Sequence, residues 1–471
     1  MSRRTRIVAT LGPATDRPGV LEGLLAAGLD VARINFSHGD ADEHLGRVAR
    51  LREAARLANR PVAILADLPG PKLRALLGQP ITLTAGQEIG LAADETGNAE
   101  IGITEPELIR MVQPGQRILL DDGRLQLEAV ALDGARLRAR VMTPGTLLPN
   151  KGVNLPDTEF DIPALTARDE EALAIVARAD VDWIALSFVR SADAAGQLRA
   201  ACRRHGIDVP IMAKIERPEA IRRAAEIIQA FDGIMVARGD LGVEMDLAQV
   251  PPLQKELIES ARAAGRPVIT ATDMLDSMRK QPRPTRAEAS DVANAIFDGT
   301  DAVMLSGETA VGQYPVEALS CMDRIARTAE AHWKHKELSV PQAKVEDHVT
   351  STTCALAREL GARAIVSPTL TGRTVRLVAR HRPQAAIIAP STEAMMRRLC
   401  LVWGLTPILL GEHLEEGGDR LDASVRAAFA QGLIKPGDRA ILLAGHPVEG
   451  GTRVPTIRVV RVGDRGQSTT P

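Results

Sequence analysis

The first scarcity in this 471-residue sequence is that of aromatic side chains. Three Trp, one Tyr and six Phe make up 2% of the chain, which is too few for base-stacking platforms or for the aromatic belts of a membrane protein. The 58 basic and 60 acidic side chains leave a net charge of -2, so no overall field attracts nucleic acid or an anionic membrane. Long apolar runs are also missing, and we predict neither a nucleic-acid partner nor a membrane span.

Cysteine is the second scarcity. The four cysteines form no CxxC pair, which argues against a disulfide framework and a zinc site and favours a reducing compartment. The apolar run that follows the basic N-terminal residues is too short for a signal peptide. We therefore predict a cytoplasmic protein.

Eight short, β-branched apolar runs alternate with longer amphipathic stretches over much of the chain. The runs begin at residues 6, 31, 62, 183, 211, 233, 267 and 302, and such alternation is typical of βα units around a parallel sheet. Residues 1–69 and 164–336 together approach the roughly 250 residues of a (β/α)₈ barrel. We therefore predict an α/β protein built on a TIM barrel.

Two further regions depart from this pattern. Residues 70–163 alternate between apolar and polar positions and carry Gly and Pro turns, which predicts a small β-barrel domain inserted after the third barrel strand. From residue 337 to residue 471 a second alternation of strands and helices predicts a C-terminal α/β domain. The sequence thus predicts three domains, one of which interrupts the barrel.

Polar side chains stand at the ends of most predicted barrel strands. Catalytic groups of such barrels come from the carboxyl ends of the strands, and Lys214, Glu216 and Asp240 occupy such ends. Lys214 and Glu216 lie two residues apart on one strand and therefore share a face. Two carboxylates without His or Cys form a hard oxygen site that suits Mg²⁺ or Mn²⁺. The pattern leaves open a structural ion pair of Lys214 with Glu216, or of Arg238 with Asp240.

The same strand ends offer groups that bind anions. The turn from Gly239 to Gly242 presents backbone amides at a predicted helix start, and Thr272 adds a hydroxyl from the next strand. Arg33 adds a forked guanidinium suited to phosphate. An anion seat beside a divalent metal, Arg and Lys predicts a phosphorylated or carboxylate-bearing substrate. Taken alone, Thr272 would equally suit a helix N-cap.

Several longer motifs are more specific than any single site residue. They read IVATLGPAT, VARINFSHGD, ADLPGPKLR, NKGVNLP, AKIERPEA, MVARGDLGVE, VITATDMLDSM and PRPTRAE…DAVMLSGETA. On these motifs the chain resembles the pyruvate kinase family along its whole length. The N-terminal extension of animal members has no counterpart here, so the resemblance is to the bacterial form.

The resemblance implies transfer of a phosphoryl group between phosphoenolpyruvate and ADP, with pyruvate and ATP as products in glycolysis. Carried over by motif, Glu216 and Asp240 hold the divalent metal, Mg²⁺ or Mn²⁺. The amides of Gly239 and Asp240, together with the Thr272 hydroxyl, seat the substrate carboxylate. The protein is then expected to position substrates and stabilise charge rather than to form a covalent intermediate.

The resemblance also implies roles for groups around the phosphoryl group and the nucleotide. Lys214 lies over the transferred phosphoryl group, and Arg33 assists from the other side. Thr272 and Ser306, acting through water, are the candidates for proton delivery. The residues implied in nucleotide binding are Pro13, His38, Arg74 and Lys151.

One motif concerns the monovalent cation. Family members that require K⁺ carry a Glu in the stretch after the third strand, often with a Thr beside the Asp, where this chain has Lys72 and Leu68. Asn35, Ser37 and Asp67 remain as oxygen ligands, but a lysine ammonium supplies the same positive charge. We therefore predict that K⁺ is not required. The alternative is that Lys72 is a solvated lysine in the hinge to the inserted domain.

A hydroxyl- and glycine-rich turn precedes a predicted helix in the C-terminal domain. Backbone amides and hydroxyls at a helix start form a phosphate nest, and in the family this loop holds a phosphorylated effector. We predict allosteric activation by a sugar phosphate or AMP, and the resemblance also implies a homotetramer. A capped helix entry without a ligand is the alternative. The predicted effector residues are Ser367, Thr369, Thr371, Gly372, Arg373 and Thr374.

Two other functions remain open at this point. A different metal-dependent barrel enzyme acting on phosphoenolpyruvate or pyruvate would share Glu216 and Asp240, but it has no need of Lys151 or of a hinged β domain. A regulatory homologue that kept the fold and lost the chemistry is the other alternative. The presence of Lys214 beside both carboxylates argues against it.

Overall fold

The protein is described here from a computed structural model. It describes residues 3–92, 99–104, 106–159, 163–333, 338–340, 344–410, 420–447 and 453–470. The strands are β1 (Arg6–Leu11), β2 (Val31–Asn35), β3 (Ala63–Leu68), β4 (Ala75–Leu76), β5 (Ile81–Leu83), β6 (Glu88–Ala92), β7 (Ile101–Ile103), β8 (Arg117–Leu120), β9 (Leu125–Asp133), β10 (Arg136–Thr143), β11 (Gly145–Leu147), β12 (Val153–Asn154), β13 (Trp183–Leu186), β14 (Ile211–Ile215), β15 (Gly233–Ala237), β16 (Val268–Ala271), β17 (Ala302–Leu305), β18 (Ala364–Val366), β19 (Ala386–Ser391), β20 (Leu405–Leu409), β21 (Arg439–Pro447), β22 (Arg453–Val462) and β23 (Ser468–Thr469).

The helices lie between these strands, and two short 3₁₀ turns, Leu247–Gln249 and Asp276–Arg279, accompany them. The helices are α1 (Val20–Ala27), α2 (Ala41–Leu57), α3 (Pro106–Ile109), α4 (Ala167–Val176), α5 (Asp193–Arg204), α6 (Pro218–Arg222), α7 (Ala224–Ala230), α8 (Arg238–Glu244), α9 (Val250–Ala263), α10 (Arg286–Asp298), α11 (Gly307–Ala310), α12 (Pro315–His332), α13 (Val345–Glu359), α14 (Arg373–Ala379), α15 (Glu393–Leu399) and α16 (Arg420–Ala430). Among the described helices, none combines the length and the apolar character of a membrane span.

Eight parallel strands close into a barrel in the order β1-β17-β16-β15-β14-β13-β3-β2. Every one of them falls within an apolar run that the sequence assigned to the barrel, so the predicted TIM barrel is confirmed. The strands are buried on both faces because side chains fill the barrel interior and helices cover its outside. Their carboxyl ends therefore meet at one end of the barrel.

An inserted domain and a C-terminal domain complete the fold. The inserted domain, formed by β4–β12, holds a seven-stranded sheet in the order β12-β8-β9-β10-β6-β7-β4 and the pair β11-β5, with its own apolar core. The C-terminal domain is a six-stranded sheet in the order β20-β19-β18-β21-β22-β23, flanked by helices. The predicted boundary between residues 336 and 337 lies outside the described residues.

Candidate active site

Four charged side chains form one network at the carboxyl ends of the barrel strands. Lys214 Nζ lies 3.0 Å from Glu216 Oε1 and 3.4 Å from Asp67 Oδ1. Arg33 Nε lies 2.6 Å from Asp67 Oδ2, and its Nη1 donates to Thr10 Oγ1 at 3.0 Å. Asp67 and Glu216 are each 1% exposed. Charges buried this deeply are held only because they are paired.

The pairing determines how these groups ionise. Burial by itself would lower the pKa of Lys214, but the charges of Asp67 and Glu216 outweigh it and raise that pKa. Burial would likewise raise the pKa of Asp67, yet Lys214 and Arg33 hold it below its ordinary value. Lys214 and Asp67 are therefore fully charged at neutral pH. A fixed ammonium in a pocket that excludes water acts strongly on any anion placed beside it.

Ser187 is a member of this network that sequence reasoning missed. Its Oγ accepts a hydrogen bond from Lys214 Nζ at 2.7 Å and donates to the Leu68 carbonyl at 2.7 Å. The next amide, that of Phe188, donates to Glu216 Oε2 at 2.7 Å. Ser187 directly follows β13, so the strand-end rule that selected Lys214 would have selected it as well.

Glu216 and Asp240 are neighbouring carboxylates that would suit a divalent cation. Burial raises the pKa of Glu216, and the nearby charge of Asp240 adds to the rise, while Lys214 opposes it. Asp240 in turn pairs with Lys72 Nζ at 3.0 Å. Within the described residues, no group of three His, Cys, Asp or Glu could hold a metal by itself. Two hard oxygens that need substrate oxygens to complete the shell are typical of a Mg²⁺ or Mn²⁺ site.

The structure decides between the ion pairs that the sequence left open. Lys214 does pair with Glu216, but Arg238 Nη1 pairs with Asp291 at 2.7 Å and not with Asp240. The Arg238 guanidinium also donates to the carbonyl of Thr272 at 2.6 Å. It therefore braces the strand end beside the site.

Thr272 and Gly239 meet directly. The Gly239 amide donates to Thr272 Oγ1 at 2.7 Å, and that hydroxyl donates to the Ala271 carbonyl at 2.6 Å. Thr272 has a φ of 69°, a left-handed conformation that is unusual for a β-branched residue. Such strain costs about 1–3 kcal/mol and tends to occur at functional sites. The hydroxyl does not cap a helix that follows it in the sequence, but it accepts the amide hydrogen of Gly239 in the first turn of α8.

Ser306 follows β17 and has an unusual environment. Its Oγ is buried and has no hydrogen-bond partner among the described residues. Its backbone amide donates to Glu308 Oε2 at 2.7 Å, and that carboxylate also accepts from the Leu275 amide at 3.0 Å. A buried hydroxyl without a partner is costly unless a water or a ligand satisfies it.

The four predicted nucleotide residues are only partly assembled. Arg74 Nη1 donates to the Asn150 carbonyl at 3.0 Å, and Lys151 Nζ pairs with Asp121 Oδ1 at 2.7 Å. The charge of Arg74 acts on His38, and Pro13 is exposed at the surface.

The charges of four cations act on His38. Burial first, and then the charges of Arg74, Lys72, Arg168 and Arg33, lower the pKa of His38. This concentration of positive charge suits a polyphosphate. Arg168 was missed from the sequence because it lies near the start of α4 in no motif that carries a recognisable role.

The residues assigned to the monovalent-cation region do not all meet. Asn35 Oδ1 accepts from the Ser37 amide at 3.2 Å, and Asn35 is the register partner of Asp67 across β2 and β3. The Asp67 carboxylate is engaged by Arg33 and Lys214. Lys72 reaches Asp240 instead of these three residues. The Lys72 side chain is 30% exposed and lies in the segment that leads to the inserted domain, so its role in place of K⁺ stays a prediction.

The predicted effector loop is compact. Thr369 Oγ1 accepts from the Gly372 amide at 2.9 Å, and Thr371 Oγ1 accepts from the Arg373 amide at 3.5 Å. Gly372 has a φ of 73°, and a Cβ there would lie 3.0 Å from Leu399. Arg373 pairs with Glu346, Thr374 lies in the first turn of α14, and Ser367 Oγ is buried without a hydrogen-bond partner among the described residues.

Comparison with known proteins identifies the family. The pyruvate kinase barrel domain matches residues 2–319, and the pyruvate kinase alpha/beta domain matches residues 347–460. The chain is 44% identical over 475 residues to pyruvate kinase from Geobacillus stearothermophilus, covering 98% of this chain and 81% of that protein. It is 42% identical over 482 residues to the Sporosarcina psychrophila enzyme, with 99% and 82% covered, and 38% identical over 477 residues to the Clostridium acetobutylicum enzyme, with 97% and 100% covered. The chain belongs to the pyruvate kinase family.

Proposed function

We propose that this protein transfers the phosphoryl group of phosphoenolpyruvate to ADP, giving pyruvate and ATP as a step of glycolysis in the cytoplasm. The observation that carries the proposal is the Lys214 ammonium, held by Asp67, Glu216 and Ser187 at the carboxyl end of a pyruvate kinase barrel. Such a fixed charge is what transfer of a phosphoryl group requires, because catalysis there is mostly positioning and charge stabilisation.

Two cations serve the phosphoryl group. Lys214 lies over the group in transit and neutralises the charge that it carries between donor and acceptor oxygens. Arg33 contributes its guanidinium from the neighbouring strand, oriented by Asp67 at 2.6 Å and Thr10 at 3.0 Å. Because both are already oriented, little reorganisation is needed at the moment of transfer.

The substrate carboxylate is bound at the start of α8. The amides of Gly239 and Asp240 and the Thr272 hydroxyl are its donors. In the structure the Gly239 amide donates to Thr272 Oγ1 at 2.7 Å. Both groups therefore lie close enough together to serve one carboxylate oxygen.

Glu216 and Asp240 are the residues that would hold the divalent metal, Mg²⁺ or Mn²⁺. Once bound, the metal would act as a Lewis acid that neutralises negative charge on the substrate. Lys72, now 3.0 Å from Asp240, stabilises that carboxylate when no metal is bound. Thr272 and the unpartnered Ser306 hydroxyl deliver the proton to the enolate through water.

The nucleotide lies between the barrel and the inserted domain. His38, Arg74 and Lys151 bind its phosphates, and the concentration of cations around His38 supports this placement. Pro13 offers an apolar surface for the base. With aromatic side chains making up 2% of the chain, base selectivity is expected to be loose.

Activity requires no K⁺ in this proposal. The Lys72 ammonium, paired with Asp240 at 3.0 Å rather than with Asn35, Ser37 or Asp67, supplies the positive charge that a bound K⁺ would otherwise provide. Turnover in buffer free of K⁺ and Na⁺ should equal turnover with added KCl. A large gain on adding KCl would refute this part of the proposal.

Regulation is assigned to the loop from Ser367 to Thr374 in a homotetramer. The loop binds the phosphate of an activating sugar phosphate or AMP through the hydroxyls of Thr369, Thr371 and Thr374 and through Arg373. The support is the clustering of hydroxyls and amides ahead of α14. The proposed regulation is contradicted if no phosphorylated metabolite shifts the activation curve. The oligomeric state is measured separately, by sedimentation.

The decisive experiment is an assay of pyruvate release with and without ADP, run on the wild type and on Lys214→Met. We expect release only with ADP and a loss of turnover of about 10³ in the variant. Pyruvate release without ADP would favour a different barrel enzyme acting on phosphoenolpyruvate. Equal turnover in the two proteins would refute the role given to Lys214.

A further inference from the structure

Both segments that connect the inserted domain to the barrel contact α8, the short helix that carries Gly239 and Asp240. The outgoing segment, residues 69–74, contributes Lys72, whose ammonium lies 3.0 Å from Asp240 at the start of the helix. The returning segment, residues 151–159, includes β12 and contributes Asn154. The Nδ2 of Asn154 donates to Glu244 Oε1 at 2.7 Å at the end of the helix. The helix is thus contacted at both ends by the segments that join the inserted domain to the barrel.

The contact at Glu244 is buried and reinforced. Asn154 is 6% exposed, Glu244 is 3% exposed and Arg217 is 5% exposed. Arg217 Nη1 lies 3.4 Å from both carboxylate oxygens of Glu244, and its Nη2 donates to the carbonyls of Thr158 at 3.1 Å and Leu155 at 3.4 Å. The guanidinium therefore joins the end of α8 to the backbone of the returning segment.

The two connecting segments are also tied to each other. The Ala75 amide donates to the Lys151 carbonyl at 2.8 Å, and the Val153 amide donates to the Leu73 carbonyl at 3.0 Å. A rotation of the inserted domain must therefore carry both segments together. Since both segments contact α8, a rotation of the inserted domain also acts on that helix.

We infer that Asn154, Glu244 and Arg217 form a clasp through which the inserted domain positions Gly239 and Asp240. Closure over the nucleotide draws the returning segment against Glu244 and fixes α8 in the orientation that binds the carboxylate and the metal. Asn154, Glu244 and Arg217 act through α8 and are positioning residues. The inference rests on the proposed function, which gives Gly239 and Asp240 their roles.

The energetics favour a clasp that is sensitive to single substitutions. Burial raises the pKa of Glu244, and Arg217 and Asn154 oppose the rise. Removing one donor leaves a buried carboxylate short of partners, which is far more costly than the net worth of the hydrogen bond. A carboxylate at position 154 would place two like charges within hydrogen-bond distance.

A swap of functional groups tests the clasp. Asn154→Asp removes the donor and sets two carboxylates against each other, while Asn154→Asp combined with Glu244→Gln restores an amide–carboxylate pair with its direction reversed. Asp157→Asn is the matched control, because it weakens the ion pair with Arg117, 2.7 Å long, in the same returning segment and leaves every hydrogen bond to Glu244 in place.

Two measurements on the full-length protein are made for each variant. The first is the KM for phosphoenolpyruvate at low and at saturating ADP, which reports whether occupancy of the nucleotide site still changes the site at α8. The second is the affinity for Mn²⁺ alone, followed by the loss of its free electron paramagnetic resonance signal. The Mn²⁺ titration needs no turnover, so it still tests the clasp if the wild type shows no ADP-dependent release of pyruvate and the proposed function fails.

We expect Asn154→Asp to weaken phosphoenolpyruvate and Mn²⁺ binding by about tenfold or more and to abolish the effect of ADP on the KM. The double variant should recover most of both losses, and Asp157→Asn should match the wild type. The inference is overturned if Asn154→Asp retains the wild-type coupling and Mn²⁺ affinity, if the double variant recovers nothing, or if Asp157→Asn shows the same losses.

Discussion

The centre of the barrel is filled by different kinds of side chain at its carboxyl end and at its amino end. At the carboxyl end, charged groups come together in a network that excludes most water; its members are Arg33, Asp67, Lys214 and Glu216. At the amino end, Cys400 and Leu401 of the C-terminal domain pack into the apolar interior of the barrel beside Trp183. The Trp183 indole donates to the Arg398 carbonyl at 3.0 Å.

This difference separates chemistry from stability. Holding charges away from water is costly, and a site that does so depends on packing elsewhere in the molecule. The amino end provides such packing through the apolar cluster around Leu401, with buried ion pairs such as Arg382 with Asp301 at its edge. Substitutions at the two ends should therefore change different observables.

The largest expected effect is at the carboxyl end, in Glu216→Gln. An amide keeps the shape of the side chain but neither holds the metal nor balances Lys214, so turnover should fall by about 10²–10³. Thermal unfolding should change little, since Asp67 still pairs with Lys214. Near-wild-type turnover would contradict the assignment, and both quantities are measured on the purified variant.

The converse substitution is Leu401→Ala at the amino end. Leu401 is 0% exposed, so its truncation should lower the free energy of unfolding by about 3 kcal/mol through lost burial and a cavity. The kcat of the folded protein should remain that of the wild type. Urea unfolding and an assay well below the transition test both parts, and a fall in kcat at unchanged stability would remove the distinction between the ends.

Strand β13 runs from the amino end of the barrel to its carboxyl end, so substitutions at its two ends compare the two regions within one strand. Ser187→Ala, at the carboxyl end of β13, should reduce turnover by about tenfold, because the Lys214 ammonium loses one of its partners. Trp183→Phe, at the amino end, should instead lower stability by about 1 kcal/mol for the lost hydrogen bond. If both variants lose turnover equally, the two ends are coupled through β13.

The smallest expected effect is a pH dependence of the free energy of unfolding that comes from His44, a buried residue of α2. Burial, with the nearby charge of Arg47, lowers the pKa of His44, and its Nδ1 has no hydrogen-bond partner among the described residues. The unfolded chain therefore binds the proton more readily than the folded chain does. The contribution of a neutral His44 to the free energy of unfolding is complete above the unfolded pKa, about 6.5, and is lost as the pH falls towards the lower folded pKa.

The measurement is the free energy of unfolding between pH 7.5 and pH 5. His44→Gln should flatten the profile by about 1 kcal/mol or less, and replacing the exposed His332 in the same way is the control. A profile that is unchanged in His44→Gln would contradict the prediction.

Much of the fold could be predicted because its signals are local. The eight barrel strands are short apolar runs, and their carboxyl ends must meet once the sheet closes, which is why Lys214, Glu216 and Asp240 could be grouped from their positions in the sequence alone. Ser187 could have been found by the same rule. Arg168, Asn154 and Arg217 could not, because neither a two-residue strand such as β12 nor a charged side chain at a helix start has a periodicity that reveals its partner.

The amino-acid sequence by itself determined the barrel, the interruption after β3 and the chemical types gathered at the strand ends, since hydrophobic periodicity and residue spacing are properties of the chain. Only the tertiary structure decided the pairings: Arg238 with Asp291 rather than Asp240, Lys72 with Asp240, and Asn154 with Glu244. The physical reason is that a buried charge pairs with whichever opposite group lies within about 4 Å. That distance between residues far apart in sequence is fixed only when the domains pack.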